Sequence, residues 1–155
     1  MGYLVFGLRL VLGGLLLAAG ALKAHDGPAL TANSIAAYRL LPPAVVAPLG
    51  TFLPYFEILL GGYLVLGLLT RFAAIVASTQ FALFAAAVAS LVVRGIPADC
   101  GCFGSGVNTP PTWPHVGGDL LLAALAALVA WRAPGFAALD RRLGTSGSFQ
   151  ARHEV

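Results

Sequence analysis

The sequence predicts an all-α membrane protein: a four-transmembrane-helix bundle with a short interfacial helix between helices 1 and 2 and a Cys-containing extracytoplasmic loop between helices 3 and 4. Composition is the first indication, because 59% of the 155 residues are hydrophobic and only 10% are charged. An average soluble domain is roughly 45–50% apolar and about 25% charged. The second indication is four apolar segments near the ~20 residues that a spanning helix requires. Helices are expected because lipid offers no hydrogen bonds to an open backbone.

The predicted spans cover residues 3–22, 54–69, 72–93 and 113–131. They form a transmembrane domain over residues 1–132, followed by a cytoplasmic tail over residues 133–155. The first span resembles a signal peptide, but Arg9 lies inside its apolar run and not ahead of it. Since a signal peptide usually carries its basic residues ahead of the run, we expect a retained first helix.

Local patterns predict how the spans pack and connect. The glycine pairs 13–14 and 61–62 lie in the first two spans, and small residues let helix backbones approach closely in membranes. The connection between these spans predicts a short interfacial helix over residues 35–41, ended by the prolines at 42 and 43. Its candidate N-cap residues are Thr31, Asn33 and Ser34.

The basic residues predict the orientation and limit the partners. Four crossings place both termini on one side, with five basic residues: Arg71, Arg132, Arg141, Arg142 and Arg152. The other side carries three: Lys23, Arg39 and Arg94. Because basic residues concentrate in the cytoplasm, we expect cytoplasmic termini and an extracytoplasmic cysteine loop in an inner or plasma membrane. The net charge of only +3 and the scattered basic residues exclude nucleic acid as a partner and leave lipid.

The two cysteines of the chain, Cys100 and Cys102, lie one residue apart between spans 3 and 4. A disulfide between them would close a small, strained ring that is easily reduced, and Gly101 tolerates the backbone it needs. A structural bridge is a weaker interpretation, because closing a tiny loop removes little entropy from the unfolded chain. The pattern therefore favours a catalytic redox pair.

Neighbouring residues could tune this pair or extend it to a metal site. Asp99 disfavours a thiolate, whereas Arg94 and His115 favour one, so the attacking cysteine is left open. Metal capture would need two more ligands, for which His115 and His25 are the candidates. We assign no metal ligand.

Three charged residues lie in apolar runs: Arg9, Glu57 and Asp119. A charge inside the membrane costs roughly 2.5–3.5 kcal/mol on insertion scales, so each is a functional candidate. One interpretation is a buried ion pair between Arg9 and Glu57, and another is a proton-handling or quinone-binding site. Asp119 also fits an acid in a first helical turn. Quinone is the one cofactor left open.

Three motifs resemble the MauE branch of the DoxX-like membrane proteins, over roughly residues 5–132. They are AYRLLP at 37–42, LPYFE at 53–57 with the glycines that follow, and CGCFG at 100–104. The resemblance implies a four-helix membrane protein associated with thiol redox, in which Cys100 and Cys102 react. The supporting residues are Gly101, Asp99, Phe103 and His115. Members of this branch are implicated in maturing a disulfide-rich periplasmic dehydrogenase alongside a thioredoxin-like partner.

One cysteine pair does not make a complete electron pathway. Quinone-linked disulfide generators of the DsbB kind use two pairs, so we expect either a quinone in the bundle or exchange with an extracytoplasmic thioredoxin-like or disulfide-containing protein. Other membrane subunits would then complete the circuit. The leading hypothesis is a membrane thiol–disulfide oxidoreductase component that supports maturation of exported proteins. The alternative is a non-catalytic scaffold subunit of a larger membrane redox complex.

Overall fold

The structure is a computed structural model that describes residues 2–96 and 110–133. Its helices are α1 (Gly2–Asp26), α2 (Pro28–Ala37), α3 (Pro43–Leu66), α4 (Thr70–Arg94) and α5 (Trp113–Arg132). All except α2 are long and apolar enough to cross a membrane. No strand occurs in the described ranges. The predicted all-α class with four spans is confirmed.

The long helices form two antiparallel pairs. In the first pair, Gly13 of α1 lies against Gly61 of α3, and Gly20 lies against Pro54, so the chains run in opposite directions. In the second, the Ser78 hydroxyl of α4 donates to the Ala123 carbonyl of α5 at 2.9 Å. The four helices share one apolar core that includes Leu12, Leu16, Leu64, Ala77, Phe81, Ala126 and Val129.

Only one glycine of each pair makes the close helix contact that the sequence predicts. A Cβ on Gly13 would lie 2.8 Å from the Gly61 carbonyl oxygen, and a Cβ on Gly61 would lie 2.7 Å from that of Gly13. Both distances are too short for real side chains. By contrast, a Cβ on Gly14 or Gly62 would meet nothing within 4 Å. Close backbone packing is therefore confirmed at Gly13 and Gly61.

The short helix α2 lies earlier in the chain than the predicted 35–41. It begins after Gly27, whose φ of 91° suits glycine, and Pro28 occupies its first turn. A proline is preorganised for that position. The predicted N-caps Thr31, Asn33 and Ser34 all lie inside the helix, so that prediction is wrong. The hydroxyls of Thr31 and Ser34 instead donate to carbonyls four residues earlier.

The first two spans are longer than predicted, whereas α4 and α5 lie within two residues of the predicted spans 72–93 and 113–131. Helix α1 continues past residue 22 to Asp26, and α3 starts at Pro43 with two prolines in its interior. Neighbouring helices allow membrane helices to accommodate such prolines. The longer α1 brings Lys23 inside the helix.

One end of the bundle collects α2, the last turns of α1 and α4, and the first turns of α3 and α5; we call it the α2 end. Its elements are joined where Arg94 Nη1 donates to the Tyr38 carbonyl at 2.9 Å. Residues 96 and 110, which flank the cysteine-containing segment, follow α4 and precede α5. Both neighbours of that segment therefore belong to the α2 end.

Candidate functional site

Three helices meet at a buried polar cluster formed by Lys23, Glu57 and Gln80. Lys23 Nζ of α1 donates to both carboxylate oxygens of Glu57 on α3, at 2.9 and 2.8 Å. Gln80 Nε2 of α4 donates to Glu57 Oε1 at 3.0 Å. The three side chains are 4%, 0% and 7% exposed. The cluster therefore places a charge pair with its hydrogen-bond donors inside a span.

The predicted ion pair between Arg9 and Glu57 is wrong, because Lys23 takes that position. The prediction ended helix 1 at residue 22 and left Lys23 in the connection. In the structure α1 runs on to Asp26, and Lys23 lies on the same helix face as Arg9. The Phe84 ring lies 5.5 Å from Lys23 Nζ and adds a cation–π contact to the ion pair.

Arg9 has a different role, at the carboxyl end of α3. Its Nε donates to the Leu64 carbonyl at 3.0 Å and its Nη2 to the Val65 carbonyl at 3.3 Å. Helix α3 ends at Leu66, and the last carbonyls of a helix have no partner within it. In lipid no water replaces that partner. Arg9 is fully buried and caps α3 from the neighbouring helix.

A periodic signal could have identified Lys23. The buried side chains of α1 recur every three or four residues and include Val5, Arg9, Leu12, Leu16, Ala19 and Lys23. Such a stripe marks the face that packs against other helices. Extending the stripe by one turn beyond residue 22 places Lys23 on the bundle side, where it needs an acidic partner.

Asp119 lies beside this cluster. Helix α5 begins at Trp113 and has no acid in its first turn, so the first-turn interpretation of Asp119 is wrong. Asp119 and Glu57 line the same small cavity of about 40 Å³, together with Phe81 and Phe84. That volume is large enough for one water molecule, so two of the three predicted intramembrane charges come together around one enclosed space.

His25 and His115 lie at the α2 end, apart from the cluster. His115 Nδ1 lies 2.7 Å from the Thr112 hydroxyl at the start of α5. His25 is exposed and lies 3.9 Å from Asp26 Oδ1. Neither belongs to the contacts of Glu57. Their roles as supporting residue or metal ligand stay predictions.

Five of the predicted site residues lie outside the described residues: Asp99, Cys100, Gly101, Cys102 and Phe103. The redox chemistry assigned to Cys100 and Cys102 therefore stays a prediction. What the structure describes is the position of the two helices that carry this segment, both with their flanking ends at the α2 end.

A larger cavity of about 610 Å³ opens between α2, α3 and α4; we call it the α2–α4 cavity. The polar and charged residues in its wall are Lys23, Asp26, Thr31, Ser34, Thr79 and Gln80. The rest of the wall is mainly apolar and includes Tyr38, Phe52, Phe56, Leu83, Phe84 and Ala87. Ligand pockets commonly have volumes of about 300–1,000 Å³ with few polar groups. The cavity and the cluster therefore form one candidate site.

Comparison with known proteins identifies relatives along most of the chain. The model of a family described as "Methylamine utilisation protein MauE" matches residues 1–132. A protein of Paracoccus denitrificans named "Methylamine utilization protein MauE" is 34% identical over 111 residues, which cover 71% of this chain and 60% of that protein. Proteins of the same name from Methylorubrum extorquens and Methylophilus methylotrophus are 35% and 39% identical over 63% and 59% of this chain.

The chain spans about half the length of these curated relatives, since the matches cover 60%, 53% and 47% of them. No solved structure matches the chain. The four apolar helices and the family match agree on a multi-pass membrane protein. The match over residues 1–132 includes every described helix. The chain therefore belongs to the MauE family.

Proposed function

We propose that the protein is a membrane thiol–disulfide redox component that exchanges electrons through Cys100 and Cys102 with an extracytoplasmic partner. The observation that carries the proposal is this Cys-x-Cys pair, held between two spans in a chain with no other cysteine. The segment joins α4 and α5, whose flanking ends lie at the α2 end. A connection at a bundle end is accessible to a soluble partner in a way that a cysteine within a span is not.

The proposed reaction is thiol–disulfide exchange. A thiolate of the pair attacks a disulfide of the partner, and one partner sulfur leaves as a thiolate. The second cysteine then attacks the mixed disulfide and releases the partner's other thiolate. The pair loses two electrons and two protons as it forms its disulfide, and the partner gains both. The reverse direction follows the same steps.

The charges support an extracytoplasmic α2 end. Lys23 and Arg9 are buried within the bundle, so neither counts as a flanking charge. The α2 end then carries two flanking basic residues, Arg39 and Arg94, against five on the other side. Because the positive-inside rule counts residues near the ends of the spans, the bias towards cytoplasmic termini becomes larger than the sequence alone predicts.

The partner is proposed to be a thioredoxin-like or disulfide-containing exported protein whose maturation depends on this exchange. The named relatives are methylamine utilisation proteins, and a role in that process is part of the proposal for this chain. Other membrane subunits are proposed to complete the electron circuit.

Alkylation of the full-length protein across a series of redox potentials tests the proposal. Purified protein is equilibrated in glutathione buffers, alkylated with a maleimide and weighed by mass spectrometry. We expect the two thiols to disappear together over one two-electron transition. Thiols that stay free at every potential would overturn the proposal.

A partner-trapping experiment separates redox work from a scaffold role. We expect Cys100→Ser or Cys102→Ser to accumulate a mixed disulfide with an exported protein, since no second cysteine is left to attack that mixed disulfide and release the partner. The variant with both cysteines replaced serves as control and should form none. Unchanged maturation of exported disulfide proteins in cells carrying this double variant would favour the scaffold.

A further inference from the structure

We propose that the α2–α4 cavity binds an acyl chain of an anionic phospholipid, whose phosphate is bound by Arg39 and Arg94 at the α2 end. This lipid site goes beyond thiol exchange and does not depend on it. Three features of the described residues support it: the length of the cavity, the hydrogen bonds in its wall, and the two guanidinium groups beside it.

The cavity is long and follows the helices. Its wall on α4 runs from Ile75 to Ala87, a distance of ~18 Å at 1.5 Å per residue. A volume of about 610 Å³ that extends over this length is a groove and not a compact chamber. An extended acyl chain has the same shape, whereas a compact ligand would leave much of the groove empty.

The groove opens to the bilayer. Phe52 of α3 and Leu83 of α4 line it and are also 60% and 66% exposed. Both residues belong to helices that are long and apolar enough to span the membrane, so the surface that they expose faces lipid. An acyl chain can therefore enter the groove from the side without leaving the bilayer.

Most polar groups in the wall of the groove already have partners within the protein. Its three hydroxyl groups donate to backbone carbonyls and belong to Thr31, Ser34 and Thr79. Lys23 Nζ and Gln80 Nε2 donate to the Glu57 carboxylate, and Gln80 Oε1 is enclosed by protein. A polar ligand would find few open hydrogen-bonding groups along the groove, whereas an acyl chain needs none.

Two arginines can bind a phosphate beside the groove. Arg39 lies between Tyr38 and Leu40, which both line the groove. Arg94 Nη1 donates to the Tyr38 carbonyl at 2.9 Å, so its guanidinium group reaches the same turn of the chain. Both arginines are exposed, and each guanidinium group carries five N–H donors. Together they match a phosphate group in charge and in hydrogen-bond geometry.

The local charge favours an anionic headgroup over a zwitterionic one. The acid in the wall of the groove, Asp26, precedes α2, whereas Arg39 follows its other end. Helix α2 has 10 residues and is therefore ~15 Å long, which exceeds the ~10 Å over which salt screens a charge. A headgroup with an ammonium group would meet two cations at this end, whereas a glycerol headgroup adds no positive charge.

Binding of single lipids to the full-length protein in detergent tests the assignment, with native mass spectrometry as the readout. The probes are phosphatidylglycerol and phosphatidylcholine with the same acyl chains, and glycerol phosphate as a headgroup without chains. We expect phosphatidylglycerol to bind at least about fivefold more tightly than phosphatidylcholine, the ratio for one basic residue near a charged headgroup. Glycerol phosphate should not displace the lipid.

Arginine variants test the headgroup contact. Arg39→Gln combined with Arg94→Gln should abolish the preference for phosphatidylglycerol over phosphatidylcholine. Arg71→Gln is the matched control, because Arg71 is exposed at the start of α4, at the opposite end of the bundle. This control should keep the preference of the natural protein.

Two neighbouring alanines of α4 test the acyl-chain contact. Ala87 lines the groove, whereas Ala86 is exposed outside it. Ala87→Phe should weaken phosphatidylglycerol binding at least about tenfold by filling the groove, and Ala86→Phe should leave it unchanged. The variant without both cysteines should bind the lipid as the natural protein does, so failure of thiol exchange and failure of this site are distinguishable.

Four outcomes would overturn the assignment. Equal binding of the two lipids would show that the headgroup charge is not recognised. An equal loss of preference in Arg71→Gln and in the double arginine variant would show a diffuse attraction. Equal effects of Ala86→Phe and Ala87→Phe would locate the chain elsewhere. Displacement of the lipid by glycerol phosphate would show a phosphate site that needs no acyl chain.

Discussion

Lys23 Nζ lies 2.8 Å from Glu57 Oε2, and the two side chains are 4% and 0% exposed. The contact joins the end of α1 to the middle of α3 inside a span. Each residue is costly alone in lipid, but together, with the amide of Gln80, they form a neutral and hydrogen-bonded unit. The main effect of the ion pair is therefore on the assembly of α1 with α3.

Removing one member of this pair should destabilise the protein far more than removing both. Lys23→Met leaves the Glu57 carboxylate buried without its cation, which costs about 3–5 kcal/mol in comparable cases. The variant with Lys23→Met and Glu57→Leu together leaves no uncompensated charge and should be closer to the natural protein. Equilibrium unfolding in mixed detergent micelles measures the double-mutant cycle. Additive losses would show that the two side chains do not stabilise each other.

Arg9→Leu should destabilise the end of α3 that lies opposite the α2 end. The change removes two charged hydrogen bonds to the carbonyls of Leu64 and Val65, and hydrogen bonds to charged groups contribute about 1.5–3 kcal/mol each. Hydrogen exchange of the last turn of α3 should accelerate. Arg71→Leu is the control, because Arg71 is exposed at the start of α4. Equal effects of the two changes would contradict the capping role.

Alanine substitution at neighbouring glycines should have opposite effects. A methyl group on Gly13 would lie 2.7 Å from Val65 Cγ2, whereas one on Gly14 would meet nothing within 4 Å. Gly13→Ala should separate α1 from α3 and lower the melting temperature. Gly14→Ala should be neutral or stabilising by up to about 1 kcal/mol, since alanine has the higher helix propensity. Thermal unfolding of both variants measures their melting temperatures. A Gly13→Ala protein that is as stable as Gly14→Ala would refute the close contact.

Ser78→Ala should loosen the second helix pair. Its hydroxyl donates across helices to the Ala123 carbonyl at 2.9 Å, and such bonds in membrane proteins contribute about 0.6 kcal/mol on average. Thr79→Val is the matched control, because the Thr79 hydroxyl donates within its own helix to the Ile75 carbonyl. Unfolding should shift for the first variant and less for the second. A larger shift for Thr79→Val would show that the hydroxyl between helices is dispensable.

Length and hydropathy were sufficient to predict four spans and the all-α class, since lipid permits few alternatives. The ends of the helices were harder to predict. Helix α1 continues through Lys23 because the ion pair with Glu57 makes that turn favourable, and no property of residues 20–26 alone carries this information. The start of α2 followed a local signal, glycine and then proline at 27 and 28, which the three N-cap candidates obscured.

The candidate site also contains residues that the sequence predicts and residues that it does not. Glu57 was recognisable as a charge in an apolar run, and so was Arg9. The stripe of buried positions on α1 could have placed Lys23 inside the bundle, but its contact with Glu57 was not predictable, because Lys23 and Gln80 reach Glu57 from separate helices. The partners of Arg9 were not predictable either, because they are backbone carbonyls, which carry no sequence signature. The α2–α4 cavity likewise results from the packing of three helices, so no sequence motif predicts it.

Arg9 and Lys23 both lie on α1, yet the groups that bind them in the α3 cap and in the ion pair belong to α3. During synthesis α1 is translated before those groups. A nascent chain that ends before residue 43 contains two cations in its first span and neither Glu57 nor the α3 carbonyls. Each cation opposes insertion by about 2.5–3.5 kcal/mol at a helix centre. The contacts that bury Arg9 and Lys23 can consequently form only after α3 has been translated.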